Sequence, residues 1–250
     1  MNKLILHIPH ASKYIPDLNL YIADQKTLKH EVLKLTDWHT DDLFLFEDAL
    51  TVKANFSRVF CDVERFSEDS QEVMAKFGMG VLYEKSDEGL SIRNINPVIR
   101  EAILQNYYWP HHEKLNQAID QQLKKNGKAT IVDCHSFPNK PFQRDLDQNP
   151  NRPDFNIGTD SFHTPLELIS LSETFFNERG YSVGIDWPYK GAIVPLVHYK
   201  KNKNVRSIML EVNRSLYLDK NTNLRSILYP KTKDIIQEYL RLLKENCNLL

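Results

Sequence analysis

Apolar positions along the chain form short runs that alternate with longer stretches of helical spacing. Residues 4–8, Leu-Ile-Leu-His-Ile, are closed by Pro9 and predict a strand entering a loop. Between residues 25 and 50, Leu28, Val32, Leu35, Leu43, Phe46 and Leu50 recur at helical intervals, predicting mostly helix. Residues 51–56 and 59–63 predict two strands joined by Ser57-Arg58. Asn96-Pro97 marks a helix start, with Asn as N-cap and Pro at the first helical position. The helical pattern then runs to Asn126-Gly127 and is expected to kink or break at Pro110. Residues 128–134 predict a buried strand leading into Asp133-Cys134-His135-Ser136. Residues 137–160, rich in Pro, Asn, Asp and Arg, predict a long loop. Thr164-Pro165-Leu166-Glu167 is a capping box that opens a helix ending at Arg179-Gly180. Strands follow over 181–185 and 205–212, then an amphipathic helix over 232–247.

Strands alternating with helices predict one α/β domain spanning residues 1–250, its central mixed, mostly parallel sheet flanked by helices. Charge removes two partner classes. With 32 Lys+Arg against 33 Asp+Glu, there is no basic surplus for nucleic acid and no polybasic membrane patch. No apolar run approaches the roughly 18 residues that span a bilayer, and the apolar start is too short for a signal peptide. Three cysteines, Cys61, Cys134 and Cys247, are odd in number and lack metal-type spacing, so a reducing cytoplasm is the expected location. Nothing in the sequence sets an oligomeric state.

Three polar side chains stand where a sheet delivers them together. His10 follows the first strand, His135 follows the strand that begins near residue 129, and Glu211 ends Ile208-Met209-Leu210. Ligands of open α/β sheets bind beyond the carboxyl ends of the strands. Two imidazoles with a carboxylate form a common catalytic zinc set that leaves a position for water. Asp37 and Asp41, four apart, share a helix face; one is a candidate ligand and the other a candidate partner for a histidine. Each residue taken alone also has an ordinary role, as a loop histidine, a strand-end carboxylate or part of a solvated helix face. His111 and His112 point about 100° apart on a helix, so one is expected to pack and the other to be exposed. Ser136 lacks a Gly-x-Ser-x-Gly setting, which ranks serine hydrolase chemistry behind a metal. His7 is expected to pack within the sheet.

Taken in order, further segments carry a resemblance. They are Ile8-Pro9-His10-Ala11-Ser12 with Ile15-Pro16, Thr36-Asp37-Trp38-His39-Thr40-Asp41, Ser57-Arg58-Val59 with Asp62-Val63-Glu64-Arg65, and Asp133-Cys134-His135-Ser136. Arg152-Pro153-Asp154-Phe155-Asn156-Ile157-Gly158-Thr159, Tyr189-Lys190-Gly191 and Leu210-Glu211-Val212-Asn213-Arg214 complete the set. Together they resemble the N-formylglutamate amidohydrolase family, related in fold to zinc carboxypeptidases and the aspartoacylase group. The resemblance implies a zinc exopeptidase-like (phosphorylase/hydrolase-like) fold and one zinc ion held by His10, Asp37 and His135. It implies Glu211 as general base and Arg58 as the group that polarises the scissile carbonyl. Arg65 would clamp a substrate carboxylate, with Asn213, Arg214 and Lys190 as further substrate-binding residues. Without the resemblance, Arg58 and Arg65 read as surface ion pairs with Asp62 or Glu64.

The chain departs from the family pattern in two places. Glu64 stands before Arg65 where Asn is expected, and Ala192-Ile193-Val194-Pro195 follows Gly191 where a second Gly and a nearby Arg are expected. The basic residue for a distal carboxylate is therefore open among Lys190, Arg144, Arg152 and His198. The expected function is zinc-dependent hydrolysis of a small N-acyl, for instance N-formyl, amino acid. The partner is a small molecule carrying a carboxylate. The rivals are a metallo-carboxypeptidase acting on short or cell-wall peptides and a non-catalytic binding module of the same fold.

Overall fold

The computed structural model describes residues 3–220 and 222–246; Cys247 lies outside them. Six strands form one sheet: β1 (Leu4–Ile8), β2 (Ala49–Lys53), β3 (Ala129–Phe137), β4 (Phe155–Gly158), β5 (Val183–Ile185) and β6 (Val205–Asn213). Their order is β2-β1-β3-β6-β4-β5, and every neighbouring pair is parallel except β4 with β6. The helices are α1 (Gln25–Leu35), α2 (Thr40–Leu43), α3 (Pro97–Ile103), α4 (Trp109–Asn126), α5 (Leu166–Asn177) and α6 (Tyr229–Asn246). This is the predicted mixed, mostly parallel α/β sheet with flanking helices.

The three central strands, β1, β3 and β6, are buried throughout, although β3 carries Thr130, Asp133, His135 and Ser136 and β6 carries Arg206, Ser207, Glu211 and Asn213. The pleat still sorts them. Leu4, Leu6, Ile8, Val132, Cys134, Ile208, Leu210 and Val212 join the core that packs on α5 and α6. Ile5, Ala129, Ile131 and Val205 join the opposite core with Leu115 and Ile119 of α4. Each of the Val, Leu and Ile side chains among them contributes about 1.5–3 kcal/mol when fully buried. His7, Asp133 and His135 continue the second set at period two, which aims a row of polar groups at one face. No helix among the described residues is long and apolar enough to cross a membrane.

Local differences from the sequence expectation have identifiable causes. α1 stops at Leu35, because Thr36 is extended and turns its hydroxyl back onto the Val32 carbonyl. The chain reaches β2 at Ala49, earlier than the helical spacing suggests, while residues 59–63 form turns instead of a strand. Pro110 does not break the helix. A π turn over Leu104–Tyr108 immediately precedes α4 and places Pro110 in its first turn, where a missing N–H costs little. The loop over 137–160 contains β4, and α5 has no side-chain cap; the Thr164 hydroxyl donates instead to the Ser207 carbonyl.

Candidate active site

The sheet register builds the site. His7 lies opposite Asp133, and His135 lies opposite Glu211. Just beyond β1, the His10 carbonyl accepts the Asp37 N–H at 3.0 Å, which ties the end of α1 to the strand end. Asp37 Oδ2 then lies 3.3 Å from His135 Nδ1 and 3.8 Å from His10 Nδ1. His10, Asp37 and His135 are all buried, and each offers a ligand atom within 4.8 Å of the others. Asp41 is exposed and accepts from Lys53 at 3.1 Å, so of the two aspartates only Asp37 enters this site.

His10 and Asp37 are engaged on their outer atoms, and His135 Nε2 stands close to two carboxylates without a hydrogen bond of its own. His10 Nε2 pairs with Asp62 Oδ1 at 2.8 Å. His135 Nε2 lies 3.0 Å from Glu64 Oε2 and 3.1 Å from Asp133 Oδ1. Asp37 Oδ1 accepts from Arg214 Nη2 at 2.9 Å. With a carboxylate near each Nε2, the tautomer protonated there would leave both Nδ1 lone pairs facing inward. His10 Nδ1 is buried without a hydrogen-bond partner. Two inward imidazole nitrogens and a carboxylate oxygen converging from three chain segments fit a divalent metal. Burial alone would raise the Asp37 carboxyl, but His10, His135 and Arg214 hold it well below the usual carboxylate range.

Behind this set lies a second buried network around His7, a residue that the sequence reading placed only as packing in the sheet. His7 Nδ1 is 2.8 Å from Asp133 Oδ1 and 3.3 Å from Glu64 Oε1, and its Nε2 is 2.8 Å from His111 Nε2. His7, Glu64 and Asp133 also offer ligand atoms within 4.8 Å of one another. Burial opposes the charged form of His7, yet Asp133 and Glu64 together raise its pKa to about 9. Burial pushes His111 well below its ordinary value and His112 down to about 4. His7 is therefore the charged imidazole of the group. Glu64, the departure noted above, bridges this network to His135.

Around a cavity of about 170 Å³ the structure assembles His10, Asp37, His135, Arg58, Arg65 and Glu211, with Lys190 at its edge. Glu211 is buried, its Oε2 has no hydrogen-bond partner, and burial raises its carboxyl to about 8. Arg58 does pair with Asp62, at 2.9 Å, but Asp62 is fully buried and also accepts from Tyr83 and His10. Arg65 stands 3.6 Å from Asp62, its Nε without a hydrogen-bond partner. Arg214 also lines the cavity, but its guanidinium is spent on Asp37, Ser136 and the Lys34 carbonyl. Asn213 faces away, donating to the Pro153 carbonyl and Asn139 while accepting from Ser215. Arg152 is consumed by Asp145, Tyr189 and backbone carbonyls, and His198 sits beside Asp120.

The residues missed as functional are Asp62, Glu64, Asp133, His7 and Tyr83. Asp133 carried a readable signal, since it precedes His135 by two on a strand and so shares its face. The contacts of Asp62 and Tyr83 span 52 and 21 residues, and no local pattern announces them.

The family model described as N-formylglutamate amidohydrolase matches residues 2–218. The fold is similar to the crystal structure of an N-formylglutamate amidohydrolase from Ralstonia eutropha JMP134. That match has a TM-score of 0.86 at 21% identity and covers 99% of this chain and 95% of that one. A gene product of Agrobacterium tumefaciens is similar with a TM-score of 0.65 at 17% identity, covering 99% of this chain and 91% of that one. No curated protein matches the chain.

Proposed function

The chain belongs to the N-formylglutamate amidohydrolase family, and from that premise we propose that it hydrolyses the amide bond of a small N-acyl amino acid with zinc held by His10, Asp37 and His135. The observation that carries the proposal is the convergence of those three side chains beside Glu211 and Arg58 in one buried cavity. His10, Asp37 and His135 would hold the cation, which would supply Lewis acidity to water at neutral pH and favour the ionised form of Glu211. Glu211 accepts the proton of the attacking water on its free carboxylate oxygen and returns it to the leaving amine. Arg58, fixed by Asp62 and Tyr83, donates to the oxygen on which negative charge develops. Arg65 pairs with the carboxylate of the amino acid. Arg214 positions Asp37 and touches no substrate. A cavity of about 170 Å³ suits a small acyl group better than a peptide.

The test is elemental analysis of the purified protein alongside the rate of hydrolysis of N-formyl amino acids. About one zinc per chain is expected, lost in His135→Ala and kept in Glu211→Gln. Turnover in Glu211→Gln should fall by about 10²–10⁴. Wild-type protein that takes up no metal even when zinc is supplied would sink the proposal.

A further inference from the structure

The cavity that holds Glu211 does not end there. It shares Glu64, Arg65, Lys190 and Met209 with a neighbouring cavity of about 310 Å³. That size lies at the lower end of the range for small-molecule sites, about 300–1,000 Å³. Arg65 and Lys190 are the cations at the junction of the two cavities. Beyond it the wall is made by Phe66, Ile193, Val194, Pro195, Leu196 and Tyr199. Among the described residues, Asp133 and Asp160 are the charged side chains that line this chamber without also lining the junction, and both are acidic. Asp160 Oδ1 accepts from the backbone N–H groups of Phe162 and His163. His112, also on the wall, is held neutral at pH 7 by burial.

The path of residues 191–196 puts the apolar wall there. Gly191 takes φ +102, a left-handed conformation that other residues rarely adopt. A Cβ on Gly158 would meet the Gly191 carbonyl oxygen at 2.2 Å, so only a glycine lets the two segments approach.

Resting on the amide-hydrolase reading, we infer that the amino acid released has a neutral, apolar side chain, leucine- or phenylalanine-like, which occupies this chamber while Arg65 holds its carboxylate. An acidic side chain entering the same space would leave water, find no counter-charge past the junction and face Asp160. An apolar one gains from burial against Ile193 and Leu196.

The metal-loaded enzyme is assayed on N-formyl-L-leucine, N-formyl-L-phenylalanine, N-formyl-L-glutamine and N-formyl-L-glutamate. Calorimetry measures binding of the corresponding free amino acids. The leucine and phenylalanine substrates should exceed the glutamate one in kcat/KM by at least about tenfold. Glutamine, which has the shape of glutamate without the charge, should fall between. Ile193→Arg should narrow or reverse the ranking, and the wild-type ranking decides if that variant fails to fold. N-formyl-L-glutamate turned over as well as the leucine substrate, or better, overturns the inference and leaves the hydrolase reading standing. Preferential binding of leucine with no amide cleaved supports the chamber and removes the hydrolase. No binding and no cleavage removes both.

Discussion

His7→Gln tests the electrostatics of the network behind the metal ligands. His7 is wholly buried, faces Asp133 and Glu64 through Nδ1 and His111 through Nε2, and has its pKa raised from 6.5 to about 9. The folded state therefore holds a proton that the unfolded chain loses near pH 6.5. Between these values folding is coupled to proton uptake, so this group makes stability fall by about 1.4 kcal/mol per pH unit. Its contribution is complete below pH 6.5, about 3 kcal/mol, and is lost as pH rises through about 9. Glutamine keeps a donor of similar reach but no charge, which leaves Asp133 and Glu64 without their shared cation. Chelator-treated wild-type and variant proteins are unfolded in urea at pH 6, 7, 8 and 9. The variant should be the less stable at pH 6 and the difference should shrink towards pH 9. Two curves that run parallel over that range would refute the reasoning, because the charge on His7 would then contribute nothing.

Three other outcomes are expected. Asp62→Asn removes the carboxylate behind His10 and should weaken zinc binding about 10–100-fold by calorimetric titration; unchanged affinity would mean that Asp62 does not orient His10. Arg58→Met should lower kcat/KM by about 10²–10³ with metal content unchanged, and a full-rate variant would remove Arg58 from the oxyanion role. Leu210→Ala, in the fully buried centre of β6, should cost about 2–5 kcal/mol in chemical denaturation, and a loss under 1 kcal/mol would contradict the packing described.

The elements most legible in the sequence were those whose signal is local. β1 is bounded by Pro9, α3 by the Asn96 cap, whose side chain accepts from Ile99, and β3 and β6 are marked by the apolar segments Ile131-Val132 and Ile208-Met209-Leu210. Less legible were the segments whose form depends on distant partners. Residues 59–63 have strand-like composition, but Val63 and Phe60 pack into a core with Val81, Leu104 and Tyr108, and the chain turns to meet them. β4 is four residues long and exists because it pairs with both β5 and β6, so its own composition reads as loop.

The candidate site divides along the same line. His10, His135 and Glu211 sit at or near strand ends, and the carboxyl edge of a sheet is a place that sequence order can indicate. Their outer partners follow from register: the in-phase pairing of β1 with β3 puts His7 against Asp133, and no single strand reveals that pairing. Glu64 illustrates the consequence. Beside Arg65 in the sequence it reads as one half of a surface ion pair, whereas in the fold it joins His7 to His135 across the sheet. The side-chain chamber is further still from local pattern, since its apolar wall depends on Gly191 turning left and on Gly158 having no side chain to obstruct it. His10, His135 and Glu211 can therefore be found one strand end at a time, while Asp37, just past α1, the groups around these residues and the chamber proposed to select the substrate require the register and the loop path together.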